Sequence, residues 1–126
     1  MGENLISYSE DKGIVSYYDR DGVQRKAEIV RVWGQIGFNE KNEKWKSWVD
    51  LCINNSKPNS NHDCNKLYNI KVLYEINCKK NKYCLLSIVT YDEDGRVLYR
   101  NENLSSKVHY IMPESVVEKL KNRVCE

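Results

Sequence analysis

Cysteine thiols are the side chains with the widest scope for chemistry in this sequence. Five of them stand in a chain of 126 residues, at positions 52, 64, 78, 84 and 125. Such a density is typical of exported proteins, because disulfides persist in oxidising compartments. The spacings contain no Cys-x-x-Cys pair and no paired tract of Cys and His, so they do not predict a structural zinc site. We expect an exported protein with two disulfides and one cysteine left over as a thiol.

The two histidines are the next candidates for chemistry. His62 precedes Asp63 and Cys64, and His109 lies near the end of the chain. A metal ligand set of His, Asp and Cys competes here with a polar loop, which is the simpler interpretation. No serine nucleophile motif, catalytic carboxylate pair or Gly-rich phosphate loop accompanies either histidine. A thiol enzyme built on Cys84 is the remaining catalytic alternative, and we expect no enzymatic activity, no cofactor and no metal.

Charge and hydropathy exclude further classes. Twenty Lys and Arg against eighteen Asp and Glu give a net charge of +2, which lacks the basic excess that binds a nucleic-acid backbone. No apolar run approaches the roughly 20 residues that cross a bilayer. The opening Met-Gly-Glu-Asn has no signal-peptide pattern, so we expect the signal peptide needed for export to have been removed ahead of it.

The elements that position these residues are predicted to be mostly strands. Short runs of alternating apolar and β-branched residues, separated by turn residues, predict strands over 5–9, 15–19, 27–38, 70–78, 83–91 and 97–100. The lysine-rich turn Lys79 to Lys82 joins the two clearest strands into a hairpin. The length fits a single domain over 1–126. We expect an α+β fold with a meander of about six antiparallel strands.

A helix is predicted at the C-terminus. Pro113 ends the preceding extended run, Ser115 and Glu118 match a capping box, and an apolar stripe follows at Val116, Val117, Leu120 and Val124. About ten residues are too few for a helix that is stable alone. Its order must come from packing on the sheet or from a covalent tie at Cys125.

Residues 47–66 interrupt the strand pattern. The segment is rich in asparagine and serine, contains Pro58 and shows little periodicity, which predicts a long surface loop. Cys52 and Cys64 bracket it, and we expect them to form a disulfide that limits the freedom of the unfolded loop.

The partner of Cys125 follows from strand parity. If Ile76 lies opposite Leu85 in the hairpin, Cys78 shares the apolar face with Ile76. Val72 then lies opposite Val89 on that face, and Cys84 lies on the other face with Glu75 and Ile88. Cys78 therefore points toward the helix, which predicts a bridge from Cys78 to Cys125 and leaves Cys84 as the thiol.

Several stretches of the chain resemble a known family. They are residues 72–79 (VLYEINCK), 82–87 (KYCLLS), 91–95 (YDEDG) and 111–125, with 17–19 (YYD) and 29–33 (IVRVW) upstream. In order and in the terminal cysteine they resemble the bacterial surface-adhesin protein E family over about residues 5–125. The resemblance implies a bent antiparallel sheet whose concave face carries a C-terminal helix held by a disulfide. It also implies a protein of the outer membrane or periplasm that binds host glycoproteins such as vitronectin and laminin.

The chain departs from this family in two places. Residues 47–66 look like an insertion, because family members commonly make this connection with fewer residues. Cys84 stands where the family often has a basic residue able to pair with a carboxylate such as Glu75. A thiol at this position is a candidate for oxidation or for dimerisation.

Lys79, Lys80 and Lys82 are the candidate partner-binding residues. They project three cations toward an acidic or sulfated surface, although a hairpin tip kept soluble by charge is the simpler interpretation. Exposed aromatics are a second candidate surface, drawn from Trp33, Trp45, Trp48, Tyr68 and Tyr110. We expect a binding domain of adhesin type. The alternative is a structural or complex-forming envelope domain with no host ligand, and a homodimer through an edge strand or Cys84 stays open.

Overall fold

The computed structural model describes residues 5–55, 64–102 and 107–125. Within these ranges the chain forms eight strands: β1 (Leu5–Asp11), β2 (Ile14–Asp19), β3 (Gln24–Lys26), β4 (Ile29–Phe38), β5 (Asn69–Asn77), β6 (Lys82–Tyr91), β7 (Val97–Asn101) and β8 (His109–Tyr110). Two α-helices accompany them, α1 (Glu43–Asn55) and α2 (Val116–Val124).

The strands form one antiparallel sheet in the order β1-β2-β4-β5-β6-β7. The two short strands, β3 and β8, pair with the parts of β4 and β6 that β2 and β7 do not reach. β3 pairs with β4 at Ile29–Arg31, beside the stretch of β4 that pairs with β2. β8 pairs with β6 at Lys82 and Tyr83, beyond the stretch of β6 that pairs with β7. The predicted meander of about six antiparallel strands is confirmed, with these two strands added.

Alternation along the central strands separates a covered face from an open face. On β4, Val30 and Val32 are buried, whereas Arg31 and Trp33 are exposed. The buried side chains of the sheet belong to one cluster with Val49 and Cys52 of α1 and with Leu120 and Val124 of α2. Both helices therefore pack on the same face, which we call the covered face.

The β5–β6 hairpin differs in register from the prediction. Ile76 lies opposite Tyr83 and Tyr74 opposite Leu85, which is a shift of two residues. An even shift keeps every side chain on its predicted face near the turn, so Cys84 still lies on the same face as Glu75 and is now directly opposite it. Farther along, a bulge places Ile88 opposite Val72, where Val89 was expected. The expected placement of Ile88 on the open face is therefore wrong.

The prediction of a loop over 47–66 is wrong for residues 47–55, which belong to α1. Trp45, Trp48, Val49 and Cys52 recur at helical spacing and pack toward the core. The Asn42 side chain accepts a hydrogen bond from the Trp45 backbone N–H at 3.1 Å, and the Trp45 indole N–H donates to the Leu67 carbonyl at 2.9 Å. The segment was predicted as a loop because asparagine and serine, which favour loops, are so frequent in it. The rest of the predicted loop, with His62 and Asp63, lies outside the described residues.

The prediction of α2 is confirmed. The Ser115 side chain accepts a hydrogen bond from the Glu118 backbone N–H at 3.2 Å, and the Glu118 carboxylate accepts one from the Glu114 N–H at 2.8 Å. Leu120 is fully buried. A disulfide joins Cys125, at the end of α2, to Cys78 at the end of β5, as predicted. A second disulfide joins Cys52 of α1 to Cys64.

Two tyrosines place polar groups inside the covered face. The side chain of Tyr8 hydrogen-bonds to Tyr74 and to Ser16. Burial is the main cause that raises the pKa of Tyr74 well above 10.0, and it raises the pKa of Tyr8 as well. Both phenols therefore stay protonated at physiological pH and serve as neutral hydrogen-bonding groups.

Gly34 of β4 is required by the ring of Tyr74. A Cβ at position 34 would lie 2.8 Å from Tyr74 Cε2 and 3.4 Å from the Tyr17 carbonyl oxygen. We expect Gly34→Ala to lower the free energy of unfolding by about 1–3 kcal/mol, because the buried ring has to shift. Urea unfolding checks this value. Gly37→Ala on the same strand is the control, since nothing lies within 4 Å of its Cβ position. Equal effects at the two glycines would contradict this interpretation.

Candidate partner-binding surface

The tip of the β5–β6 hairpin presents the predicted lysines. The connection is formed by residues 78–81, with Asn81 in the left-handed region at φ 56°, which asparagine tolerates well. The Asn77 side chain accepts a hydrogen bond from the Lys80 backbone N–H at 2.9 Å and fixes the turn. Lys79 and Lys80 are exposed, whereas Lys82 is half-buried at the start of β6. The three lysines therefore share one end of the sheet, although not the same environment.

The half-buried Lys82 is covered by β8. Lys82 pairs with Tyr110 and Tyr83 pairs with His109. The Lys82 ammonium lies 4.9 Å from the centroid of the Tyr110 ring, within the range of a cation–π interaction. The Tyr83 and His109 rings lie 5.4 Å apart between centroids. A cation and aromatic rings are thus combined on one pair of strands.

Apolar side chains around β8 are unusually exposed. Val108 and Met112 are each 64% exposed, and Tyr110 is 69% exposed. Large apolar side chains grouped in this way commonly mark interaction surfaces, and tyrosine is enriched among the residues that dominate binding energy. We call Lys79, Lys80, Lys82, Val108, Tyr110 and Met112 together the basic-aromatic surface.

The backbone under the basic-aromatic surface is held in several places. The Ile111 N–H donates to the Asn81 carbonyl at 3.0 Å, and the Asn81 side-chain NH₂ donates to the Ile111 carbonyl at 3.3 Å. The Lys121 ammonium of α2 donates to the Asn81 side-chain oxygen at 2.7 Å. The Cys78–Cys125 disulfide ties the same turn to the end of α2. A surface ordered in advance loses less conformational entropy when a partner binds.

The structure separates the other aromatic candidates. Trp45 and Trp48 lie half-buried against the core. Trp33 is exposed on the open face, and Tyr68 is exposed just before β5. Of the five aromatic candidates, Tyr110 alone lies beside the lysines of the hairpin. Val108 and Met112 were not predicted, although the alternation of apolar side chains at positions 108, 110 and 112 is a signal for one exposed face.

Cys84 lies outside both disulfides and is half-buried. Its neighbour Glu75 forms an ion pair with Arg31 of β4, with Arg31 Nε 2.9 Å from Glu75 Oε2. The family resemblance implies that Glu75 would pair with a basic residue on β6. In this structure Glu75 pairs instead with Arg31 on β4, the strand on its other side.

Metal and membrane features can be stated for the described residues. Residues 5–55, 64–102 and 107–125 contain no group of three or more His, Cys, Asp and Glu placed to hold a metal ion. In the same ranges, no helix has both the length and the apolar character needed to cross a membrane.

Solved structures with the same fold come from Haemophilus influenzae. Two structures of its protein E align with TM-scores of 0.62 and 0.61. The sequence identities are 13% and 14%, the alignments cover 99% of this chain in both cases, and they cover 89% and 88% of the solved chains. At such low identity the likeness shows the fold alone. No curated protein matches the sequence.

The sequence itself is matched by a family model. The model is that of surface-adhesin protein E, and it covers residues 5–126. The antiparallel sheet, the C-terminal helix and the Cys78–Cys125 disulfide agree with the fold that the sequence resemblance implied. The chain belongs to the surface-adhesin protein E family.

Proposed function

We propose that this chain is an exported bacterial cell-envelope domain of adhesin type, which binds a matrix or serum glycoprotein of the vitronectin and laminin class through the basic-aromatic surface. Membership of an adhesin family supports a role in binding. The two disulfides support an oxidising location, which is the periplasm or the outer-membrane surface. Of these two locations, only the outer-membrane surface allows contact with a host glycoprotein.

The observation that carries the proposal is the contact between Lys82 and Tyr110. It places a cation, an exposed aromatic ring and two exposed apolar side chains on one fixed patch beside Lys79 and Lys80. The lysines attract an acidic or sulfated partner at long range. Tyr110 and Met112 then supply apolar area that is buried on contact.

Alanine substitution of the three lysines tests the proposal. Binding of purified protein to immobilised vitronectin, laminin and heparin is measured by biolayer interferometry at two salt concentrations. We expect Lys79→Ala, Lys80→Ala and Lys82→Ala together to weaken binding at least about tenfold and to reduce its dependence on salt, because the loss is electrostatic. Tyr110→Ala should weaken binding while leaving the salt dependence in place.

The controls carry the same changes elsewhere. Lys44→Ala, Lys46→Ala and Lys66→Ala remove the same charge from exposed positions on α1 and near Cys64. Tyr68→Ala removes an exposed aromatic ring away from β8. Binding that survives the hairpin variants, or falls equally in the controls, would exclude the basic-aromatic surface. No binding to any of the three ligands would instead favour a structural envelope domain.

A further inference from the structure

The open face of the sheet contains a groove that is separate from the basic-aromatic surface. Its volume is about 350 Å³, near the lower end of the range of small-molecule pockets, roughly 300–1,000 Å³. It extends across the sheet from Leu5 of β1 and Asp19 of β2 to Arg100 of β7, on the half of β5 and β6 remote from the hairpin turn. The lining residues that matter here are Trp33, Gln35, Lys71, Val89, Tyr91 and Arg100.

The register of the sheet brings polar groups of this groove into one row. Gln35 lies opposite Lys71, Lys71 opposite Val89, and Val89 opposite Arg100. Neighbouring strands are about 4.8 Å apart, so Lys71 and Arg100 stand about 9.5 Å apart at their backbones, with Val89 between them. Long cationic side chains on both sides of an apolar floor can reach the same bound group.

The acidic side chains of the groove are already engaged. Glu102 Oε1 lies 3.2 Å from Arg100 Nε. Asp19 Oδ1 accepts hydrogen bonds from the backbone N–H groups of Asp21 and Gly22, at 3.1 and 3.3 Å. The guanidinium of Arg100 has several N–H donors, so it can donate to a second carboxylate as well as to Glu102. A guanidinium positioned in this way is suited to a carboxylate, with which it forms paired hydrogen bonds.

Aromatic rings supply the other half of the site. Trp33 is 37% exposed on the strand next to Lys71. The Lys71 ammonium lies 5.4 Å from the centroid of the Tyr91 ring, which holds the lysine over that ring. An exposed indole beside hydrogen-bonding side chains presents a flat apolar face to a ring of similar character.

We propose that this groove binds a sugar unit that carries a carboxylate, such as a uronic or sialic acid. The apolar face of the sugar ring packs on Trp33. Its carboxylate receives hydrogen bonds from Arg100 and Lys71, and the Gln35 amide bonds to its hydroxyl groups. The volume of about 350 Å³ suits a single sugar unit, and the aromatic surface favours a sugar over a simple inorganic anion.

Nuclear magnetic resonance titration of the full chain tests the proposal. Free glucuronic acid and N-acetylneuraminic acid should shift backbone amide signals of β4 to β7 around the groove. Glucose, which lacks the carboxylate, and sodium sulfate, which lacks the ring, should each bind at least about tenfold more weakly. Arg100→Met and Trp33→Ala should each weaken binding of the acidic sugars about tenfold or more.

Control variants outside the groove, and the outcomes below, distinguish sugar binding in the groove from other causes of a signal shift. Arg96→Met and Tyr68→Ala remove an exposed cation and an exposed aromatic outside the groove, and binding should be unchanged. Shifts that are absent, equal for glucose or sulfate, or insensitive to Arg100→Met and Trp33→Ala would overturn the proposal. Shifts in the groove that follow protein concentration instead of sugar would assign the face to a second copy. The lysine variants of the basic-aromatic surface should bind these sugars normally, so the two sites fail or succeed separately.

Discussion

Replacing Cys78 and Cys125 together with serine is expected to lower the free energy of unfolding by about 4 kcal/mol. The two cysteines are 47 residues apart in sequence, so their bridge closes a long loop in the unfolded chain and removes much of its entropy. Both side chains are only half-buried, which keeps the cost of the serine hydroxyls small. Urea unfolding of the oxidised proteins measures the difference.

Two comparisons make this result specific. Cys52→Ala with Cys64→Ala opens a loop of only 12 residues, so the loop contribution should be smaller, about 3 kcal/mol; alanine is used because both side chains are buried and a serine hydroxyl there would add a desolvation cost. Cys84→Ser changes the cysteine outside the disulfides and should cost little. If the Cys78 and Cys125 variant were as stable as the unchanged protein, the bridge would not be what holds α2 in place.

Leu120→Ala is expected to destabilise the protein by about 3 kcal/mol, within the range for removing a buried leucine. Leu120 is 0% exposed and belongs to the core cluster under α2, so its removal leaves a cavity at the contact between helix and sheet. The loss is a large share of the total stability of a domain, which is about 5–15 kcal/mol. Thermal and urea unfolding both report it.

Val116→Ala on the same helix is the matched control. Val116 is 37% exposed, and alanine is the better helix former, so we expect a change below about 0.5 kcal/mol. Equal losses at positions 116 and 120 would show that α2 packs on the sheet through a different side than the structure indicates.

The strands and α2 could be predicted because each has a strong local signal. β4 and β5 alternate apolar and polar side chains over most of their length, and α2 combines a capping box with an apolar stripe. α1 could not be predicted in the same way, because its stripe of Trp45, Val49 and Cys52 leads into a run of asparagine and serine that is typical of loops. Local composition was a poor guide where tertiary packing decides the structure.

The candidate sites depended on long-range pairing to different degrees. The lysines of the hairpin tip were predictable, since they are adjacent in sequence. The position of β8 beside Lys82 was not, because residues 109–110 pair with β6 from more than 25 residues away. The groove on the open face needed the correct register of four strands, and beyond the bulge the predicted β5–β6 pairing was wrong by one residue, which put Val89 on the wrong face.

Hydrogen–deuterium exchange of the full chain with and without bound vitronectin or laminin tests directly whether the basic-aromatic surface is the contact surface. We expect slower deuterium uptake in peptides that cover residues 78–83 and 107–112, and unchanged uptake in peptides of α1. Binding that leaves those two regions unprotected, or that protects only other parts of the chain, would contradict the assignment of the hairpin end as the contact surface.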